Sequence, residues 1–241
     1  MIRLLLTSAT YRQSSHHRPD LSDRDPNNIL LARQNRFRLE AENVRDVYLA
    51  ASGRLNPAIS GPGIRPPLPA DIAALGYANS VKWAPSKGAE QYRRGLYIFF
   101  QRTVPYPMLS AFDAPDSNMT CTRRERSNTP LQALTLLNDP VFFDCAQALG
   151  HSLSARKDLR GKQKIITGFK RCLSREPTKQ ELGRLMKLYE TQRQFLDRSP
   201  DNAATLAGPN EPPDRRRVME AATLVAVVRT LMNLDEFVTR E

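Results

Sequence analysis

Between Arg93 and Asn138 the chain gathers groups that could bind or react: Arg93, Arg94, Arg102, Asp113, Asp116, Cys121, Arg123, Arg124, Glu125, Arg126, Gln132, Asn138 and Asp139. Arginine presents a planar donor fork that matches a carboxylate, so this pattern can pin an irregular loop through Arg–carboxylate pairs. The same side chains, turned outward, could take an anionic ligand. The structural reading ranks ahead, because an irregular loop has few ladder hydrogen bonds of its own. The residues that decide between the two are Arg102, Asp113, Arg123, Arg124, Gln132 and Asn138. Arg123, Arg124 and Arg126 precede a helix that opens at Thr129-Pro130. Three cations against a positive helix end need an anion or a carboxylate nearby, so Arg123 or Arg124 is expected to form a buried two-pronged pair with Asp113 or another acid.

Other candidates are weaker. His16 and His17 with Asp20, Asp23 and Asp25 contain metal-binding groups, but adjacent histidines of an extended segment point to opposite sides and a solvated loop is the simpler reading. His151 lies beside an apolar helical face and reads as structural. Cys121, Cys145 and Cys172 are odd in number and far apart, with no Cys-x-x-Cys and no Cys-x-x-Cys-His. Neither a disulfide framework, a zinc site nor haem attachment is expected, and no cofactor is assigned to the chain.

The elements that must position these residues are mainly helical. Ile2, Leu5, Leu6 and Ala9 share one face of a short helix. Asp25-Pro26 as a cap and Gly53 as a stop predict one long helix over 26–51, with Leu30, Phe37, Val44, Val47, Tyr48 and Ala51 on its buried stripe and an Arg38–Glu42 pair on its surface. Residues 53–128 are expected to form an irregular, Pro/Gly-rich insertion with at most a short strand or hairpin, near Arg94 to Phe100. Thr129-Pro130, Asp139-Pro140 and the Thr178–Glu181 capping box place a helical region over 129–198. Residues 199–213 read as a linker, and Asp214 opens a C-terminal helix over 214–237. The expected fold is an irregular, mainly α bundle forming a single domain over 1–241.

Charge narrows the partners. The 241 residues carry a net charge of +11, and 28 of the 36 basic residues are arginine. Residues 156–198 hold 13 Lys and Arg against five Asp and Glu. A solvated basic face explains this more simply than nucleic-acid binding, for which no recognition module is present, so nucleic acid is kept only as a non-specific alternative. No apolar run approaches the ~20 residues of a membrane-spanning helix. The start, with only three consecutive leucines, does not read as an export signal.

A series of strings carries a family resemblance: Thr7-Ser-Ala-Thr-Tyr-Arg-Gln-Ser-Ser15, Arg38-Leu-Glu-Ala-Glu-Asn-Val-Arg-Asp46, Gly53-Arg-Leu55, Arg93-Arg-Gly-Leu-Tyr97, Phe112-Asp-Ala-Pro-Asp116, Arg123-Arg-Glu-Arg-Ser-Asn-Thr-Pro-Leu-Gln-Ala-Leu134, Leu137-Asn-Asp139, Arg175-Glu-Pro-Thr178 and Leu234-Asp-Glu-Phe237. Together they resemble the planctomycete-specific domain of unknown function that forms the C-terminal part of large exported proteins with a planctomycete cytochrome-c-type domain. The resemblance implies an exported or periplasmic setting and a haem-bearing or cell-envelope partner. It also implies that the chain is truncated or split, lacking the export signal, haem domain and neighbouring domain of its relatives. Three functions follow as expectations. The first is a non-catalytic scaffold or binding module of a haem-associated assembly, the second an enzyme domain acting on an anionic polysaccharide through the Arg/Asp-rich loop, and the third non-specific nucleic-acid binding.

Overall fold

The computed structural model describes residues 1–73, 83–101, 105–209 and 214–240. It is mainly α, as the sequence predicts. In chain order the elements are α1 (Ile2–Thr7), β1 (Phe37–Arg38), α2 (Ala41–Ser52), α3 (Ala70–Ala73), α4 (Pro107–Ala111), α5 (Pro130–Asn138), α6 (Pro140–Ala155), α7 (Gly161–Leu173), α8 (Lys179–Asp197), α9 (Pro200–Ala207), α10 (Arg215–Met232) and β2 (Thr239–Arg240).

α10 is the axis. Ala221, Ala222, Thr223, Leu224, Val225, Val227, Val228, Leu231 and Met232 are all buried, and α6, α7, α8 and α9 pack around it. α2 packs on α6, where Tyr48 stacks on Phe142 with ring centroids 4.0 Å apart and donates its hydroxyl to the Met232 carbonyl of α10 at 2.7 Å. A smaller apolar cluster joins Leu196, Ala203, Ala207, Met219 and Ala222 under α9.

The caps explain why most helices start where they do. Thr129, Asp139 and Asp214 accept backbone N–H groups in the first turns of α5, α6 and α10, and Thr178 with Glu181 closes a reciprocal capping box on α8. Each satisfies donors that the helix itself leaves orphaned.

Asp25 does not cap a helix. Its carboxylate accepts from Ile29 N at 2.7 Å and Leu30 N at 2.8 Å, while the Asn28 amide brackets Arg33 through both its N–H and its carbonyl. These side chains offer the backbone a turn in place of helical hydrogen bonds, and Asn28 and Leu31 sit at φ near 54°. The predicted helix over 26–51 is therefore only its second half, beginning at Ala41. Leu30 is exposed, and Arg38 pairs with Asp235 at 2.9 Å and not with Glu42. The predicted linker over 199–213 contains α9, which Pro200 opens and which buries Ala203 and Ala207. α1 is helical, yet Ile2, Leu5 and Leu6 are exposed and none of its residues is buried. The predicted C-terminal helix over 214–237 stops at Met232 and continues as a 3₁₀ turn over Asp235–Val238.

Within 53–128 the described residues make a packed insertion. Gly95–Tyr97 is a 3₁₀ turn where a strand is predicted, and pairing is confined to isolated parallel bridges, Asn56 with Arg93 and Ile64 with Ile98. The two-stranded sheet comes from elsewhere: β1 pairs antiparallel with β2, Phe37 opposite Arg240 and Arg38 opposite Thr239.

Candidate functional site

Asp113 follows the short helix α4 with φ 58°, which turns its carboxylate toward the segment ahead of α5. Its Oδ2 accepts from Ser127 N at 2.7 Å, Ser127 Oγ at 2.7 Å and Gln132 Nε2 at 3.3 Å. Gln132 projects from the first turn of α5, only 1% exposed, and its Nε2 also donates to Ser127 Oγ at 3.0 Å. Its Oε1 is buried without a partner. Asp113 is thus held by neutral donors and not by Arg123 or Arg124.

Arg124 makes the two-pronged pair, with a different acid. Its Nη1 and Nη2 donate to Glu42 Oε2 at 2.8 Å and Glu42 Oε1 at 3.2 Å, and Nη1 also reaches Glu40 Oε2 at 3.0 Å. Arg126 donates to the other Glu40 oxygen at 3.2 Å and lies over the Phe37 ring. The Arg124 side chain is 35% exposed, so the fork is half-buried. Hydrogen bonding to Glu42 is the main cause of its raised pKa. Two arginines facing two glutamates leave no net charge, and the glutamates supply the compensation that cations ahead of α5 require.

A crevice of ≈ 10 Å³ lies among Arg38, Phe112, Asp113, Arg124, Ser127 and Gln132, about the room of one water molecule. Arg123 is exposed and does not line the crevice; among the described residues its backbone carbonyl alone is engaged, by the Cys121 thiol. Asn138 is exposed at the end of α5 and also stands outside it. Arg102 lies outside the described residues. Of the six predicted residues, Asp113, Arg124 and Gln132 come together.

The residues that sequence reasoning missed are mostly on or near α2. Glu40 and Glu42 anchor the arginines. Asp46 accepts from Arg94 Nε at 3.0 Å and Gly95 N at 2.6 Å. Fully buried Arg45 donates to the Gln91 carbonyl. Gly95 is required at that contact, since a Cβ there would stand 2.7 Å from Glu42 O. Farther along the insertion, Arg93 is 2% exposed, lies over the Tyr97 ring and donates to the Pro62, Ala58 and Ser60 carbonyls. Arg54, Tyr92 and Asp144 close a triangle of hydrogen bonds, 2.9–3.0 Å on each side; burial first, then Asp144, pushes the Tyr92 hydroxyl up to about 12. The signal for these was the string Arg38 to Asp46, whose alternating charges suit a helix reaching a loop on more than one side.

His17, Asp20 and Asp25 are engaged separately, with Ser22, Arg18 and backbone N–H groups. Among the described residues no three His, Cys, Asp or Glu side chains are grouped as metal ligands. No helix among them is long and apolar enough to cross a membrane.

The fold and this cluster define a mainly α protein whose irregular insertion is tied to one helix by charged side chains. Residues 1–189 match the family model for PSD1, proteins of unknown function (DUF1553), and the chain belongs to that family. No curated protein and no solved structure matches it.

Proposed function

We propose that the protein is a non-catalytic scaffold or binding module of an exported assembly whose haem is carried by another polypeptide. The observation that carries this reading is the pairing of the cluster's charged groups: Arg124 and Arg126 are engaged by Glu40 and Glu42, and Asp113 by Ser127 and Gln132. Its crevice admits about one water, where a substrate site is normally a cleft of ~300–1,000 Å³. Charged groups so arranged hold a shape. The haem-bearing partner rests on the resemblance to exported planctomycete proteins.

Isolation of the tagged chain from its native cells, followed by haem staining of what co-purifies, tests the reading. A c-type cytochrome in a fixed ratio to the chain is expected. Depolymerisation of an anionic polysaccharide such as alginate by the purified chain, lost on Asp113→Asn, would replace it with the enzyme reading.

A further inference from the structure

On the side of α10 that carries Glu220, a cleft of ≈ 610 Å³ opens between α6, α7 and α10. It is lined by Arg54, His151, Arg156, Lys157, Lys164 and Arg217, with Glu220 as its one acid among the described lining residues. Three of these cations are already matched. Arg54 pairs with Asp144, Arg156 with Asp158, and Lys164 with Glu220 at 2.6 Å. Lys164 is 4% exposed and also donates to the Ser154 carbonyl, so a buried ammonium is fixed in the wall.

Lys157 and Arg217 are different. Both are exposed, and neither has an acidic partner among the described residues. Arg217 ends the run Arg215-Arg216-Arg217 in the first turn of α10, which contains no acid. Cations there oppose the positive helix end, and the Asp214 carboxylate is engaged by the Arg216 backbone N–H. His151 adds a polar ring whose Nε2 must carry a proton, because it contacts the Ala207 carbonyl at 2.8 Å. No Phe, Tyr or Trp lines the cleft, so it lacks the stacking surface that nucleobases use.

We infer that this cleft binds a compact small-molecule oligoanion, phosphorylated or polycarboxylate, held between Lys157 and Arg217 over the Lys164 wall. The volume lies within the ~300–1,000 Å³ range of small-ligand sites. Charge and hydrogen bonding, not stacking, set its selectivity. The inference is independent of the scaffold reading, which concerns a different charge cluster.

Calorimetric titration of the full chain with tripolyphosphate, and in parallel with citrate, tests it at physiological salt. One saturable site is expected for at least one of the two, and the stronger ligand tells phosphate from carboxylate chemistry. The double variant Lys157→Ala/Arg217→Ala, exposed at both positions, is expected to weaken binding by about tenfold, as two exposed ion pairs together would. Lys179→Ala/Lys187→Ala, which removes equal charge elsewhere, leaves it unchanged. Absence of saturable binding, or equal loss in both double variants, overturns the inference by reducing the cleft to part of a diffuse field. Displacement of tripolyphosphate by duplex DNA through the same two residues would overturn it in favour of nucleic-acid binding.

Discussion

Gly150 of α6 lies against Val225 of α10 so closely that a Cβ on Gly150 would stand 2.5 Å from Val225 Cγ2 and 3.0 Å from Val225 N. The backbone of the central helix is therefore part of the contact and cannot move aside as a side chain tip could. Gly150→Ala brings ~1 kcal/mol of helix propensity against an overpacking cost of ~1–3 kcal/mol. We expect net destabilisation of up to about 2 kcal/mol, read from the urea midpoint. Gly150→Val should be far worse, and an unchanged midpoint there would contradict the packing described.

The Arg124 fork is half-exposed, which lowers what its loss costs. A fully buried carboxylate stripped of its partner costs ~3–5 kcal/mol; Glu42, reachable by solvent, should cost about 1–2 kcal/mol in Arg124→Ala, allowing for screening. A double-mutant cycle with Glu42→Gln is the measurement. A coupling near zero would mean that the Arg124–Glu42 fork adds nothing to the hold of Glu40, Arg45 and Asp46 on the insertion.

The three thiols should separate cleanly. Burial pushes Cys145 and Cys172 up to about 12, while Cys121 is exposed. Because the thiolate is the reactive form, an aromatic disulfide reagent at pH 8 should label one cysteine rapidly and the other two only on unfolding. Cys121→Ser should abolish the rapid phase.

Acid should loosen the join between α8 and the C-terminal turn. Arg175 donates to Glu181 and Glu236 at 2.7 Å, and with the Thr178 N–H it holds the Glu181 carboxyl down to about 2. A carboxyl depressed in the folded state contributes stability that is fully present above its unfolded pKa and is lost as pH falls through the folded one. That window runs from about 4.5 down to about 2. Since a third of the side chain is exposed, the contribution should be below about 1 kcal/mol. Glu181→Gln should lose it at pH 7 and show a smaller fall in urea midpoint between pH 5 and 3 than the unaltered protein.

The helical half of the chain was legible because its starts are written locally. Thr129, Asp139, Thr178 and Asp214 each cap the helix that follows within a few residues. Asp25 carried the same signal and misled, since an aspartate can bond to N–H groups of a turn as readily as to those of a helix, and the side chain of Asn28 three positions on made the turn prevail. α9 was missed because its apolar face is Ala203 and Ala207 with Leu206 half-buried beside them, a slight stripe against the prolines around it. In the polar cluster, Asp113, Arg124 and Gln132 were recognised by type. Their partners were not, because Glu40 and Glu42 lie about 80 positions away and nothing local in the sequence reports a contact across that span.

The pairing of β1 with β2 brings residue 37 beside residue 240, and the most enclosed helix, α10, is made after the helices that pack around it. During synthesis the apolar faces that α6, α7, α8 and α9 turn toward α10 must wait until residues 215–232 arrive. Closing so long a loop is entropically costly and belongs late in folding. Nascent chains interrupted before α10 would present those faces to one another and to chaperones, so α10 decides whether the helices made before it become a folded unit or an aggregate.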